Sequence, residues 1–270
     1  MLEVIYLAEL LIYYNFYEHV ASDIATGQPY LPATSYNTQQ TLDCISNWTE
    51  ENLMMINEDK SNFMVFSRAG TDFATRLKVN ENAIERLHAA KICGVWRTED
   101  LTWNLNTEEV CKKAYKRLSM LTKLKYVGVG IEDLLDIYSL FIRSVLEYCS
   151  VVWHSRLTQE QTSDIERVQK ICLRIILRES YVSYDAALEM CALDRLADRR
   201  EARCMRFAKR CLKHPKFTNL FPLSEPEPYN FRSVEKYEVN FARTDLYRDS
   251  TIPYLQRKLN DEHRNKNVNS

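Results

Sequence analysis

Turn-forming residues are scarce in this 270-residue chain, which contains only 5 glycines and 7 prolines. An all-β fold with many tight turns needs more of both, so that class is disfavoured and long helices are expected. Hydrophobic residues make up 46% of the chain and charged residues 27%, a balance typical of a globular protein with a real core. The length allows one large domain or two small ones.

Several patterns of metal and nucleophile chemistry are absent as well. The eight cysteines form no Cys-x-x-Cys pair and have no histidine at zinc-ligand spacing, so they are expected to be buried, reduced thiols. The sequence contains no Asp-Asp dipeptide, no Gly-x-Ser-x-Gly, no His-Glu-x-x-His and no Walker-type loop. We therefore expect no bound metal, no cofactor and no small-molecule substrate.

The apolar opening, MLEVIYLAELLIYY, is too short for a transmembrane helix and contains Glu3 and Glu9. We expect no membrane anchor and no signal peptide, which favours a cytoplasmic or nuclear protein that is not secreted. A native N-terminus rarely opens directly on an apolar element without a polar lead-in. The pattern therefore favours a domain whose beginning is missing over a helix that starts at Met1.

Charge is distributed unevenly along the chain. Residues 1–60 contain nine acidic residues and one basic residue, Lys60, whereas residues 107–215 contain 20 Lys and Arg against 15 Asp and Glu. Such a basic region is able to face a polyanion. Helix faces that are only solvated give the same excess of basic residues. Charge alone therefore leaves both interpretations open, a surface for a polyanion and a solvated helix face.

Hydrophobic periodicity predicts an α+β fold that is mainly α. A helix over 38–55 precedes short strands at 63–66, 74–79 and 91–97, which indicate a small antiparallel sheet. Later helices are predicted over 107–124, 131–152, 158–178, 183–191 and 194–212, the third of them starting at a Thr158 and Gln161 capping pair. Prolines then mark a loop-rich tail. We divide the chain into 1–106, a helical domain over 107–215, and a tail over 216–270.

Four segments in order resemble the palm-to-thumb region of reverse transcriptases from non-LTR (LINE-type) retrotransposons of the jockey and RTE kinds. They are WTEENLMMINEDKSNFMVFSR (48–68), KICGVWRTEDLTWN (91–104), CKKAYKRLSMLTKLKYVGV (111–129) and FIRSVLEYCSVVWHSRLT (141–158). Residues 164–177, 199–217 and 242–260 resemble the closing segments of the same proteins. The resemblance covers most of the chain, and it implies that 1–106 is a partial palm and 107–215 a thumb-like domain.

The resemblance implies two sets of palm residues. Asn57 and Lys60 would lie near the incoming nucleotide, where Lys60 would donate a proton to the pyrophosphate or neutralise its charge. Gly94, Trp96 and Trp103 match a hairpin that grips the primer terminus, with the tryptophans against sugar or base. The alternatives are a solvated lysine at a helix end, and two tryptophans that fill the seam between sheet and helices.

In the thumb-like domain the resemblance implies contacts to the phosphates of an RNA–DNA duplex or of RNA. The candidate residues line one helix and its end: Lys112, Lys113, Lys116, Arg117, Lys123 and Lys125. A second basic stretch is partly neutralised by Asp194, Asp198 and Glu201 at helix-neighbour spacings. Its members are Arg199, Arg200, Arg203, Arg206, Lys209 and Arg210.

Polymerase activity of the intact family needs Mg²⁺ held by an acidic cluster, and the aromatic-x-Asp-Asp element of that cluster would precede Met1. We therefore expect an inactive fragment, truncated downstream of the catalytic Asp-Asp motif, with residual nucleic-acid binding. One alternative is a co-opted protein-interaction module. Another is a protein whose residues 108–155 resemble the N-terminal region of AlkB-type alkylated-DNA-repair homologues. No histidine is followed two residues later by aspartate, so that family's iron site is absent.

Overall fold

The computed structural model describes residues 38–66, 76–80, 82–224, 235–239 and 241–268. The chain divides into a first unit, 1–106, and a second unit, 107–270. The described residues are mainly helical with small sheets, which confirms the α+β, mainly α fold class. The apolar opening and the front of the strand predicted at 74–79 lie outside the described residues.

The first unit contains one helix, α1 (Thr38–Glu51), a 3-10 turn (Glu58–Lys60) and short strands in the described part of the chain. The strands are β1 (Asn62–Phe63), β2 (Lys78–Val79), β3 (Asn82–Ala83), β4 (Glu85–Arg86), β5 (Ala89–Ile92) and β6 (Val95–Thr98). They form three two-stranded sheets, of which β2–β3 and β5–β6 are antiparallel and β1–β4 is parallel. The small antiparallel pairing that the sequence predicts is therefore present, divided over two sheets, and a short parallel pair is added to it.

The strand predicted at 91–97 is a hairpin. Its turn residues, Cys93 and Gly94, both have positive φ, 45° and 83°. This is the geometry of a two-residue type I′ turn, whose twist matches that of the flanking strands. The helix predicted over 38–55 ends at Glu51, and the Gln39 side chain ties it to β2 through two hydrogen bonds to the Lys78 backbone, of 2.8 and 2.9 Å.

Two central helices organise the second unit. They are α6 (Gln159–Leu177) and α8 (Leu196–Cys211). Helix α2 (Asn104–Tyr126) begins at the end of the first unit and continues into the second. The remaining α-helices in the described residues are α3 (Ile131–Ile137), α4 (Ser144–Leu146), α5 (Ser150–Trp153), α7 (Tyr184–Met190), α9 (Asp245–Arg248) and α10 (Thr251–Val268). Helix α6 packs against α3, α7 and α8, and α8 also packs against α5 and α10. The predicted start of α6 is confirmed, because Thr158 and Gln161 form a reciprocal capping box.

Two predictions for this unit need correction. The continuous helix expected over 131–152 is interrupted by a π-helix (Tyr138–Arg143) and then by Cys149, whose φ is 48°. The wide π turn keeps both Tyr138 and Ile142 fully buried. The tail expected to be loop-rich contains α10, and Leu255 and Leu259 of this helix are buried. Its Pro253 is tolerated because it lies in the first turn, where no intrahelical N–H is needed.

Candidate nucleic-acid interface

One side of α2 carries a straight row of side chains spaced alternately by four and three residues. We call Lys112, Lys116, Ser119, Lys123 and Tyr126 the α2 row; all of them are exposed. At 100° per residue, these positions fall within about 80° of one another and span about 21 Å along the helix. The opposite side of α2 is buried through Cys111, Ala114 and Leu121. The row therefore faces solvent.

Few carboxylates lie near the lysines on this side of α2. Lys112 Nζ lies 3.0 Å from Glu109 Oε1, and this bond lowers the pKa of Glu109 and raises the pKa of Lys112. Lys113, Lys116 and Lys123 are exposed and have no ion pair in the ranges that the structure describes. Lys113 and Lys116 also lower the pKa of Glu109, although they make no bond to it. Glu108 and Glu109 are the acids of this face, and both raise the pKa of Lys112. With four lysines against these two carboxylates, the face keeps a net positive charge.

Two of the six predicted phosphate-binding residues lie elsewhere on the helix. Arg117 is about 140° around α2 from Lys112, and its guanidinium donates to the backbone carbonyl of Phe141 in the π-helix. Lys125 is about 140° away in the other direction and is half-buried. Lys112, Lys113, Lys116 and Lys123 therefore share one side of α2 that Arg117 and Lys125 do not, and contact of any of the six with phosphate stays a prediction.

The predicted palm residues have a local structural explanation in the first unit. The Asn57 side chain caps the turn Glu58–Lys60, because its oxygen accepts a hydrogen bond of 3.2 Å from the Lys60 backbone N–H. The Lys60 ammonium is exposed. The Asn-x-x-Lys spacing thus builds a capped turn, and a role toward a nucleotide stays a prediction.

The residues predicted to grip a primer are placed differently from one another. Gly94 forms the β5–β6 turn, and Trp96 is half-buried, with its backbone N–H donating to Asn106 Oδ1 at 3.2 Å. Trp103 is only 2% exposed, and the Arg97 guanidinium lies 4.5 Å from its ring centroid. A buried ring covered by a cation offers no face to a sugar or base, so the expectation for Trp103 is wrong.

The second basic stretch, on α8, is largely engaged in the second unit. Arg199 Nε and Arg203 Nη1 donate to the buried carboxylate of Glu147 at 2.7 and 3.0 Å. Arg200 is fully buried with its guanidinium 5.7 Å from the Trp153 ring centroid, and its side-chain nitrogens make no hydrogen bond within the described residues. Burial lowers the pKa of Arg200. Sequence reasoning missed these partners, because Glu147 lies 52 residues from Arg199.

A buried polar network beside α8 was also missed. Gln169 is fully buried; its carbonyl oxygen accepts from Tyr138, and its amide donates to the Tyr184 hydroxyl at 2.9 Å and to the Asp194 carbonyl at 3.0 Å. Tyr184 in turn donates to Glu166. Burial raises the pKa of both tyrosines. Every polar group of Gln169 has a partner, which is typical of a structural network.

The Mg²⁺ sites implied by the family resemblance find no matching ligands. Within the residues that the structure describes, no group of three or more His, Cys, Asp or Glu side chains is arranged to hold a metal ion. The full sequence also lacks an Asp-Asp pair. The described side chains do not fit a two-metal site, and we derive no catalytic step through one.

Comparison with family models, with curated proteins and with solved structures finds no match for this chain. The resemblance to non-LTR retrotransposon reverse transcriptases therefore stays a prediction from the sequence. Separately, none of the helices in the described ranges combines the length and apolar character that crossing a bilayer requires.

Proposed function

We propose that this chain is a retrotransposon-derived reverse-transcriptase fragment that binds an RNA–DNA duplex or RNA and does not itself polymerise. The observation that carries the proposal is the exposed lysine face of α2. Lys112, Lys113, Lys116 and Lys123 lie on one side of a single helix, and one of the four is paired with a carboxylate. The family resemblance indicates which polyanion would bind to this face, namely an RNA–DNA duplex or RNA.

The geometry suits contact with phosphates rather than with base edges. Lys112 and Lys123 are about 16 Å apart along the helix axis, which is comparable to about five base pairs of a duplex. Lysine carries a compact charge on a flexible stem, so it neutralises phosphates without a fixed orientation. Binding of this kind releases counterions, depends steeply on salt and does not select a sequence.

The absence of polymerase activity is proposed on chemical grounds. Phosphoryl transfer needs charge neutralisation at both the attacking and the leaving oxygen. An exposed Lys60 has a part in that only when metals and a nucleotide are held nearby. The sequence of 270 residues contains no Asp-Asp pair to hold them.

The binding part is tested by fluorescence anisotropy of a labelled RNA–DNA duplex between 50 and 200 mM salt. Replacing Lys112, Lys113 and Lys116 with alanine should lower the slope of log affinity against log salt by roughly 0.9 per lost contact. A matched control replaces Lys213, Lys216 and Lys236, which are also exposed but lie outside α2. The control should leave the slope unchanged, and equal slopes for the two triple variants would overturn the proposal.

The catalytic part is tested by primer extension with magnesium or manganese. The chain alone should extend no primer above a boiled control. A chimera that places the fingers and front palm of an intact relative ahead of Met1 should restore extension, because it supplies the carboxylates. In that chimera Lys60→Ala should slow nucleotide addition more than it weakens duplex binding. Extension by the unfused chain would contradict the proposal.

A further inference from the structure

We infer that the α2 row ends in a base-stacking position, Tyr126, so that this surface prefers a duplex with an unpaired extension to a blunt duplex. The inference rests on the proposed function, because it names the kind of nucleic acid that the lysine face takes. It assigns a role to an aromatic residue that neither the phosphate contacts nor the palm residues use.

The first observation is the position of Tyr126 in the row. Tyr126 is the last residue of α2 and lies three residues after Lys123, on the side of the helix that carries the lysines. A strand whose phosphates follow Lys112, Lys116 and Lys123 therefore reaches the tyrosine at the end of its path. The lysine nearest to the ring, Lys123, would neutralise the phosphate next to the stacked base.

The second observation is that the ring is uncovered. Tyr126 is 85% exposed and Val127 80% exposed, whereas Trp103, Tyr138 and Trp153 are at most 2% exposed. No ring or cation contact covers Tyr126 within the described residues. Gly128, with φ of 92°, ends the helix, and a Cβ built there meets no atom within 4 Å. The space around the end of α2 is therefore open to a flat ligand.

The combination of lysines and an exposed aromatic ring indicates the kind of nucleic acid that this surface binds. Nucleic-acid sites that accept unpaired strands combine a cationic track for phosphates with aromatic rings on which bases stack. Bases inside a duplex are already stacked on their neighbours, so a surface tyrosine has access only to an unpaired or terminal base. Stacking of one base is expected to tighten binding about tenfold.

The test compares anisotropy with three labelled probes that share one RNA–DNA duplex. The first is blunt, the second has three unpaired nucleotides at an end of the DNA strand, and the third has the same extension with abasic sites. Extensions at the 3′ and 5′ ends are tried separately. We expect the second probe to bind about tenfold more tightly than the third, because only the second adds bases as well as phosphates.

Two substitutions at Tyr126 separate stacking from other effects. Tyr126→Leu should abolish the preference of the second probe over the third, while Tyr126→Phe should retain it. Phe241→Leu is the matched control, because Phe241 is 87% exposed and lies outside α2. Circular dichroism checks that the variants fold.

The outcomes distinguish this inference from the proposed function. If the second and third probes bind equally at both ends, or if the preference survives Tyr126→Leu, the stacking role is wrong while lysine-dependent binding of the duplex stands. If no probe shows salt-dependent binding, both the proposed function and the stacking role are wrong.

Discussion

Helices α2 and α8 are both rich in cations but use them in opposite ways. Lys112, Lys113, Lys116 and Lys123 of α2 are exposed to solvent. Arg199, Arg200 and Arg203 of α8 instead lie against Glu147 and Trp153. The difference shows that the density of positive charge does not identify a nucleic-acid surface. The distant residues against which each helix packs decide which of its charges remain available.

The type of cation follows the same division. The basic stretch of α8 contains five arginines and one lysine, whereas that of α2 contains five lysines and one arginine, Arg117. Arg117 is engaged with another part of the fold, because it donates to the Phe141 carbonyl, whereas Lys112 pairs only with Glu109 of its own helix. Arginine's planar set of donors suits buried pairs and aromatic faces, and lysine's strongly hydrated ammonium favours the surface. In these two helices the cations that contact Glu147, Trp153 and the Phe141 carbonyl are arginines, although Arg206 and Arg210 of α8 are exposed.

The largest effect that separates the two helices is expected from Glu147→Ala. Removing this buried carboxylate leaves Arg199 and Arg203 without their shared partner, and the free energy of unfolding should fall by about 3 kcal/mol. Urea denaturation followed by circular dichroism measures the change. Glu109→Ala on α2 is the control, because its pair with Lys112 is exposed to solvent, and it should leave the midpoint unchanged. Equal effects would remove the distinction between the helices.

Next in size is the pair of substitutions at Arg200. Arg200→Ala leaves a cavity beside Trp153 and should lower the free energy of unfolding by roughly 2.5 kcal/mol. Arg200→Met keeps most of the volume and removes a buried charge that has no hydrogen-bond partner in the described ranges. It should therefore be neutral or stabilising. A loss with methionine as large as that with alanine would show that the charge itself stabilises the fold.

A third effect is the dependence of stability on pH through His154. Burial, together with Arg200 and Lys258, lowers the pKa of His154 from 6.5 to about 4, against an opposing effect of Glu201. Between these two values the unfolded chain binds a proton that the folded chain does not, so stability falls as the pH drops through this window. The loss should be roughly 2 kcal/mol once the shift is discounted for the partial exposure of His154 to water. Below this window both states are protonated and the loss stops.

His154→Gln should flatten the part of the stability profile between pH 6.5 and about 4. The measurement is the urea midpoint at half-unit steps of pH. His214→Gln, outside this pocket, should keep the slope of the parent chain. A slope that survives in His154→Gln would assign the pH dependence to other groups.

The smallest effect is expected on the α2 side. Replacing Lys113 and Lys116 with alanine removes two exposed ammonium groups without ion pairs in the described residues. The free energy of unfolding should change by no more than about 0.5 kcal/mol. A loss above about 1 kcal/mol would mean that these lysines support the fold and are not merely available for binding.

Local patterns account for what was predicted successfully. Thr158 and Gln161 indicated the start of α6, because a capping box depends only on residues that lie within four positions of one another. The turn at Cys93 and Gly94 was missed although the glycine was a visible signal. For Lys125, the spacing of four residues from the apolar Leu121, which is buried, already indicated a position toward the inner side of α2.

The remaining errors depend on contacts between residues far apart in the chain. Nothing near Arg199 indicates that Glu147, 52 residues away, is its partner. The interruption at Cys149 also has no local signal. Its backbone is left-handed, a conformation usually adopted by glycine, and the sequence has no glycine at this position. Such features follow from packing, which periodicity does not describe.

The hydrogen bonds of Gln169 have a consequence for how the second unit opens. One side chain of α6 connects the π-helix through Tyr138, helix α7 through Tyr184, and the segment before α8 through Asp194. Opening any one of these segments leaves a buried amide group unsatisfied, so they are expected to open together. In native-state hydrogen exchange, their backbone amides should then exchange as one cooperative group, with a common dependence on denaturant.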